Sequence, residues 1–350
     1  ELDELLALYD HIDAANLSTI TPTGQLPALT TSFSAISTGK NLSGKISPAI
    51  LANHTQSADA QIRAWLDSVA RFSNDPARLG TPMAYTTDAG LDLAQLINKV
   101  LLGSVVYYQG TSVYLAGLLD RDNSAQKDGT RPYTDMEHAF DEAFGYYGAA
   151  RNYSQFSDGA LAGSVDEYVT DDNGDGRIDF ESEYNFGFSR NAGKRDRGST
   201  SGTDMTAEIF HAFRTGRAMI AAKGTRDDIT AERLKIARTW EQVVGATVIH
   251  YVNEVIADMD GLTAESNPTN SSSLNKHWGE LKGFLWALQY NSLGSVSSGD
   301  LVRWHGLAGN APLYVVEGST ASIAQKGRLI DLRDELGSRL GFDASDVAVW

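Results

Sequence analysis

Cysteine is absent from these 350 residues, which excludes disulfides, thiolate metal sites and cysteine nucleophiles. Proline is scarce, at 8 residues, and leaves room for long uninterrupted helices. Positive charge is in deficit: 29 Lys and Arg face 45 Asp and Glu, a net charge of −16. The cationic surplus that neutralises phosphates is missing, so nucleic acid is not an expected partner. Period-two apolar alternation is nearly absent too, with Tyr314–Val316 the one short strand candidate. The most apolar stretch, Leu91–Leu119, contains Asp92, Gln95, Asn98, Lys99 and Gln109, and reads as a buried helix, not a membrane span. Metalloprotease, serine-hydrolase, phosphate-loop and dinucleotide signatures are all missing, so no catalytic nucleophile can be named.

What is present is helical periodicity. Ile62, Trp65, Leu66, Val69 and Phe72 fall on one stripe of an amphipathic helix. Further helices are expected over Leu91–Leu119, Pro132–Tyr153, Asp204–Lys223, Thr230–Met259, Ser272–Asn291 and Ser322–Leu340, with Gly341 as the C-cap of the last. The fold class is therefore all-α. The first residues, Glu1-Leu-Asp-Glu, lack an initiator Met and read as a trimmed or mature exported product.

A short motif occurs twice. His138-Ala-Phe140-Asp141-Glu142-Ala-Phe-Gly145-Tyr146 and His277-Trp278-Gly-Glu280-Leu-Lys-Gly283-Phe284 both read aromatic-x-Glu-x-x-Gly-aromatic, with a His just ahead. Gly103 lies upstream of the first copy and Gly245 upstream of the second, each in a run of small and β-branched residues. The simplest reading is an internal duplication: two helical bundles, residues 1–155 and 204–350, joined by a segment at 156–203. On a helix His138 and Glu142 share a face, as do His277 and Glu280. That spacing suits two ligands to one metal ion, or a His held by a carboxylate. Asp141 would add an oxygen. A buried polar network between packed helices explains the same residues without a ligand. His211 with Arg214 and Arg217, and His250 with Glu254, are further candidates for the same cluster.

The joining segment is rich in Gly, Asp, Ser and Arg and is long for a bare loop, so something must tie it down. Calcium is the expected ion. In Asp171-Asp-Asn173-Gly-Asp175-Gly176-Arg177-Ile178-Asp179, side-chain oxygens stand at loop positions 1, 3, 5 and 9 of an EF-hand pattern, Gly176 makes the sharp turn, Arg177 would give its carbonyl, and Ile178 is the apolar eighth residue. Ser182 stands at position 12, where a bidentate Glu is usual. Either a one-residue shift lets Glu183 close the site or a more distant carboxylate does. A lone loop without a paired partner points to a structural ion, and an Asp/Gly turn that imitates the pattern is the alternative.

The run Met136–Tyr146 resembles the Trp-Asp-Glu-Ala-Phe-Gly-Tyr signature of an uncharacterised bacterial family related to imelysin, with Phe140 in place of the Trp. His277–Phe284 and Phe213-Arg214-Thr-Gly216-Arg217-Ala are similar to two more of its blocks. The resemblance implies two duplicated helical bundles, export to the periplasm or cell surface, often as a lipoprotein, and an association with iron uptake. It also implies a Gly-x-His-x-x-Glu site between the bundles; His277 and Glu280 have that spacing, and His138 and Glu142 are one residue further apart. The expected function is non-enzymatic binding of a metal ion, iron or another transition metal, or of a metal-bearing ligand, with a cell-envelope uptake protein as partner. A metal-dependent hydrolase and a protein-binding surface module with a purely structural metal are the alternatives.

Overall fold

A computed structural model describes residues 1–11 and 39–350. Among them every regular element is helical, and the extended pairs, such as Val169 with Tyr184, are isolated bridges. The helices are α1 (Leu2–Asp10), α2 (Ala58–Ser73), α3 (Leu93–Leu101), α4 (Asp135–Tyr147), α5 (Asp158–Ala162), α6 (Phe188–Arg197), α7 (Met205–Ala221), α8 (Arg226–Asp260), α9 (Ser272–Ala287), α10 (Ser298–Ala308), α11 (Thr320–Leu340) and α12 (Ala344–Val349). Helix α3 runs on into two π-helical stretches, Leu102–Tyr107 and Gln109–Leu115. There the Ser104 and Thr111 hydroxyls donate to the carbonyls four residues back. None of the described helices is long and apolar enough to cross a membrane.

The ends of these helices follow from local chemistry. Thr134 and Glu137 form a reciprocal capping box at the start of α4, and left-handed Gly148 ends it. Gly341 takes the expected left-handed C-cap of α11. The 35-residue α8 is the axis of the molecule. Most of its residues from Ile236 to Val252 are buried, with Arg238 exposed, and it packs on α6, α7, α9, α11 and α12. Helix α3 lies on α9 and α4 lies on α7, so side chains from before residue 155 and after residue 204 join one continuous core. Small residues set the approach. A Cβ on Gly103 would meet the backbone of Ala287 at 2.7 Å, and one on Gly110 would meet the Trp240 ring at 2.5 Å.

Three expectations need correction. Tyr314–Val316 forms no strand; the Tyr314 hydroxyl turns in to Asn275. The helix expected over Pro132–Tyr153 is only Asp135–Tyr147, because the capping box and Gly148 stop it at both ends. The segment 156–203 is not plain loop: it contains α5 and α6, and Phe188 and Ala192 of α6 enter the core. Its helical signal was masked by the charged run Lys194–Arg197, of which Arg195 and Asp196 are themselves buried.

Candidate functional site

The Asp171–Glu183 loop is built around two carboxylates. Asp171 accepts the backbone N–H groups of Gly174 (2.7 Å), Asp175 (3.1 Å) and Gly176 (2.7 Å). Gly174 and Gly176 both have left-handed φ, +74° and +80°, which folds the chain back over the Asp171 oxygens. Glu183 reaches across from the other end. It accepts from Asp172 (2.9 Å), Asn173 (3.1 Å) and Asp179 (2.8 Å), and is almost fully buried. Of the acidic residues around position 12, Glu183 is therefore the one turned into the loop, while the Ser182 carbonyl faces away and accepts from Arg151. Ile178 drops into the core and Asn185 ties the base by bonds to Ala150 and Tyr168. Asp175, Asn173 and Asp179 add further side-chain oxygens, and the carbonyl of Arg177 lies between them in sequence. This donor set is all oxygen, as a hard cation requires. Six carboxylates with one arginine in thirteen residues also need a counter-charge.

The two motif copies meet different fates. In α4, His138 stacks on Tyr133 at 5.4 Å, and its Nε2 lies 3.6 Å from Glu142, too long for a hydrogen bond. Both side chains are about one-third exposed. Asp141 belongs to another group: with Glu137 it clamps Arg217 of α7 at 2.7 and 2.9 Å. Phe140 seats on Gly216, and Phe144 packs edge-on against Phe213. The blocks around residues 140 and 214 thus meet each other, and an open groove of about 430 Å³ lies along them, lined by Phe140, Phe144, Phe213, Arg214 and Arg217.

In α9 the copy is buried. Helix α9 is enclosed on nearly every face, from Leu274 to Ala287. Glu280 accepts from the Tyr251 hydroxyl at 2.9 Å and pairs with Lys99 of α3 at 3.3 Å through one oxygen; its other oxygen has no partner among the described residues. His277 Nδ1 lies 2.8 Å from Asp258 and 3.8 Å from Glu254, both on α8. The hydrogen bond to Asp258 is the main cause that raises the His277 pKa, against its burial. One turn of α8 back, burial next to Arg195 drives His250 down to about 3, so it is neutral.

The structure therefore brings His277 and Glu280 together with Asp258, Glu254, Tyr251 and Lys99, and brings His138 beside Glu142. The two groups share no side chain: α4 packs mainly on Gln109–Leu115 and α7, α9 mainly on α8 and α3, and both touch the stretch Leu102–Tyr107. Among the described residues no three His, Asp or Glu side chains converge as a ready metal cluster, the loop carboxylates included, since those are turned to backbone amides. His211 stands apart at 3.4 Å from Thr215. Sequence reasoning missed Asp258, which the Glu254–Asp258 i,i+4 pair on α8 could have signalled. It also missed Lys282, one turn beyond His277–Glu280 and almost fully buried.

No curated protein and no solved structure matches the chain. One family model does. The chain belongs to the family described as Domain of unknown function (DUF4856), whose model matches residues 43–294, a span that takes in both motif helices, the Asp171–Glu183 loop and the axial helix α8.

Proposed function

We propose that this protein is an exported, non-enzymatic binding protein of the imelysin-like kind that carries one structural calcium ion. The observation that carries the calcium is the loop: two left-handed glycines, the Asp171 carboxylate and the buried Glu183 carboxylate hold its backbone in a ring. Asp171, Asn173, Asp175, Asp179 and Glu183, with the Arg177 carbonyl, are the residues that would hold the ion. In this reading the ion fixes the segment between the motif helices and leaves a second site free for cargo. The unpartnered oxygen of Glu280 supports placing that cargo, a transition-metal ion or a metal-bearing ligand, at His277–Glu280, since a buried carboxylate oxygen without a donor calls for a proton, a water or a cation. His138, Asp141 and Glu142, on the half-exposed copy, are the corresponding residues of an internally duplicated ancestor, and a cell-envelope partner would dock on that side. Periplasmic or cell-surface residence belongs to the same proposal.

The test is calorimetry with Ca²⁺ on chelator-treated protein, followed by melting curves. Calcium present at about a hundredfold over Kd adds about 2.7 kcal/mol. With an unfolding entropy of roughly 0.7 kcal/mol/K for a chain of this length, that is about a 4 °C rise in Tm. One ion per chain, lost in Asp175→Asn and Glu183→Gln, is expected. A melt indifferent to both calcium and chelator would refute the calcium reading. Elemental analysis of iron-grown protein, with Glu280→Ala and Glu142→Ala beside the wild type, tests the cargo site separately.

A further inference from the structure

A partly open pocket lies on the opposite flank of α9. It measures about 290 Å³, at the small end of ligand sites, and is walled by Trp65 of α2, Leu96 of α3, and Trp278 and Trp286 of α9. Half of the six tryptophans of the chain line it. Trp278, Lys282 and Trp286 follow at i, i+4 and i+8, so one face of α9 presents an ammonium between two indoles, 5.9 and 5.4 Å from their centroids. The indole N–H groups are already engaged, by the carbonyls of Ala308 and Ala52, which fixes the rings as walls. Polar side chains reach in from three other places: Asn53 and His54 from the loop before α2, Gln61 from α2 and Asn310 from the loop after α10.

Lys282 is the unusual member. It is almost fully buried, and among the described residues it has no Asp or Glu partner. Its ammonium donates to the carbonyls of Gly309 (2.7 Å) and His305 (3.3 Å), which leaves one of three N–H donors free. His305 behind it is wholly buried, with neither ring nitrogen bonded among the described residues, and tilts against Trp286 at 5.3 Å. Burial, then Lys282, holds both His305 and His54 below the usual histidine pKa, so neither supplies a charge. A lone buried cation is costly unless an anion joins it. Burial lowers the Lys282 pKa to about 7, so the amine sheds much of its charge on its own, and an incoming anion would restore it.

We propose that this pocket binds a small hydroxylated organic carboxylate about one ring in size. The carboxylate would pair with Lys282, the flat or C–H face of the ring would lie on the tryptophans, and the hydroxyls would bond the amides of Asn53, Gln61 and Asn310. Aromatic walls take ring faces well, and a charged donor gives a stronger hydrogen bond to a carboxylate than a neutral one. Sugar acids and hydroxybenzoic acids share this chemistry. The site is independent of the calcium loop and of the His277–Glu280 cargo reading.

Tryptophan fluorescence and saturation-transfer NMR on the full chain would test it, with galacturonate and 4-hydroxybenzoate as probes and glucose and acetate as controls. Saturable binding by one of the two acids, tighter than by either control, is expected, and which acid binds decides between the two sources. Lys282→Met should weaken it about tenfold or more, the loss of one charge-assisted hydrogen bond. Gln61→Ala and Asn310→Ala, on the pocket lining, should weaken it a few-fold while the melting curve stays put, and they decide the matter if the Lys282 variant does not fold. Failure of both acids to bind at millimolar concentration, equal binding of glucose, or binding unchanged in the lining variants would overturn the proposal.

Discussion

The two motif glycines occupy the same place in the repeated sequence, yet they should respond oppositely to alanine. A Cβ on Gly283 would lie 2.4 Å from the Cβ of Lys99. Ordinary carbon contacts are about 3.5–4.0 Å, so a gap of more than 1 Å must open. Lys99 cannot swing away, because its Cβ is bound directly to the backbone of α3. Helices α3 and α9 must separate, loosening the Glu280–Lys99 pair on the same seam. Overpacking of this kind costs about 1–3 kcal/mol, and the better helix propensity of alanine returns about 0.8–1 kcal/mol. Gly283→Ala should therefore destabilise by up to roughly 2 kcal/mol, about 1 kcal/mol at the centre of that range. Gly103→Ala, against the Ala287 backbone at 2.7 Å on the same pair of helices, should behave likewise. At Gly145 no described atom lies within 4 Å of the added Cβ. Only helix propensity acts there, and the chain gains about 0.5–1 kcal/mol. Urea denaturation resolves such differences better than melting, since each kcal/mol moves Tm by only about 1.5 °C in a chain this long. If Gly145→Ala is as damaging as Gly283→Ala, or if Gly283→Ala stabilises as much as Gly145→Ala, the close α3–α9 approach is not what the motif glycine provides.

Two buried aspartates give opposite pH signatures. Asp346 of α12 is fully buried and accepts from the Thr200 and Ser201 amides and the Ser201 and Thr203 hydroxyls at 2.6–2.9 Å. Burial opposes its ionisation, but those bonds outweigh it and hold the carboxyl below its usual 3.8. A depressed acid contributes fully above the unfolded value and is lost as pH falls through the folded one. Wild type should therefore lose more stability than Asp346→Asn below about pH 4, and Asp346→Ala should cost about 3 kcal/mol or more at neutral pH by urea melts. Asp196 of α6 is pushed up to about 7 by burial, against hydrogen bonds from Thr206 and Met205. Its raised pKa makes the folded state favour the neutral acid, so the penalty is absent below about pH 4, grows through the interval and is complete above about pH 7. Asp196→Asn should stabilise by up to about 4 kcal/mol near pH 8 and by little near pH 4, and a gain that is the same at both would refute the assignment.

The sequence by itself determined the helical class, most helix spans and several helix ends. Stripes such as Ile62–Phe72, the rarity of proline and the stop at Gly341 act through neighbours a few residues away, so they can be read without a fold. It also marked the Asp171–Glu183 loop, because glycine at positive φ and carboxylates at alternate positions are local requirements. Helix α6 escaped, since its buried Arg195 and Asp196 look like surface residues until α5, α7 and α8 enclose them. Only the tertiary structure decided the fate of the repeated motif. One copy meets solvent and Arg217, and the other meets Lys99, Tyr251 and Asp258, because burial and charge pairing depend on what crosses a helix from far along the chain. Nothing in the spacing of Lys282 announces that it has no counter-ion among the described residues. That follows from which helices surround it, and from their bringing indoles and amides but no carboxylate.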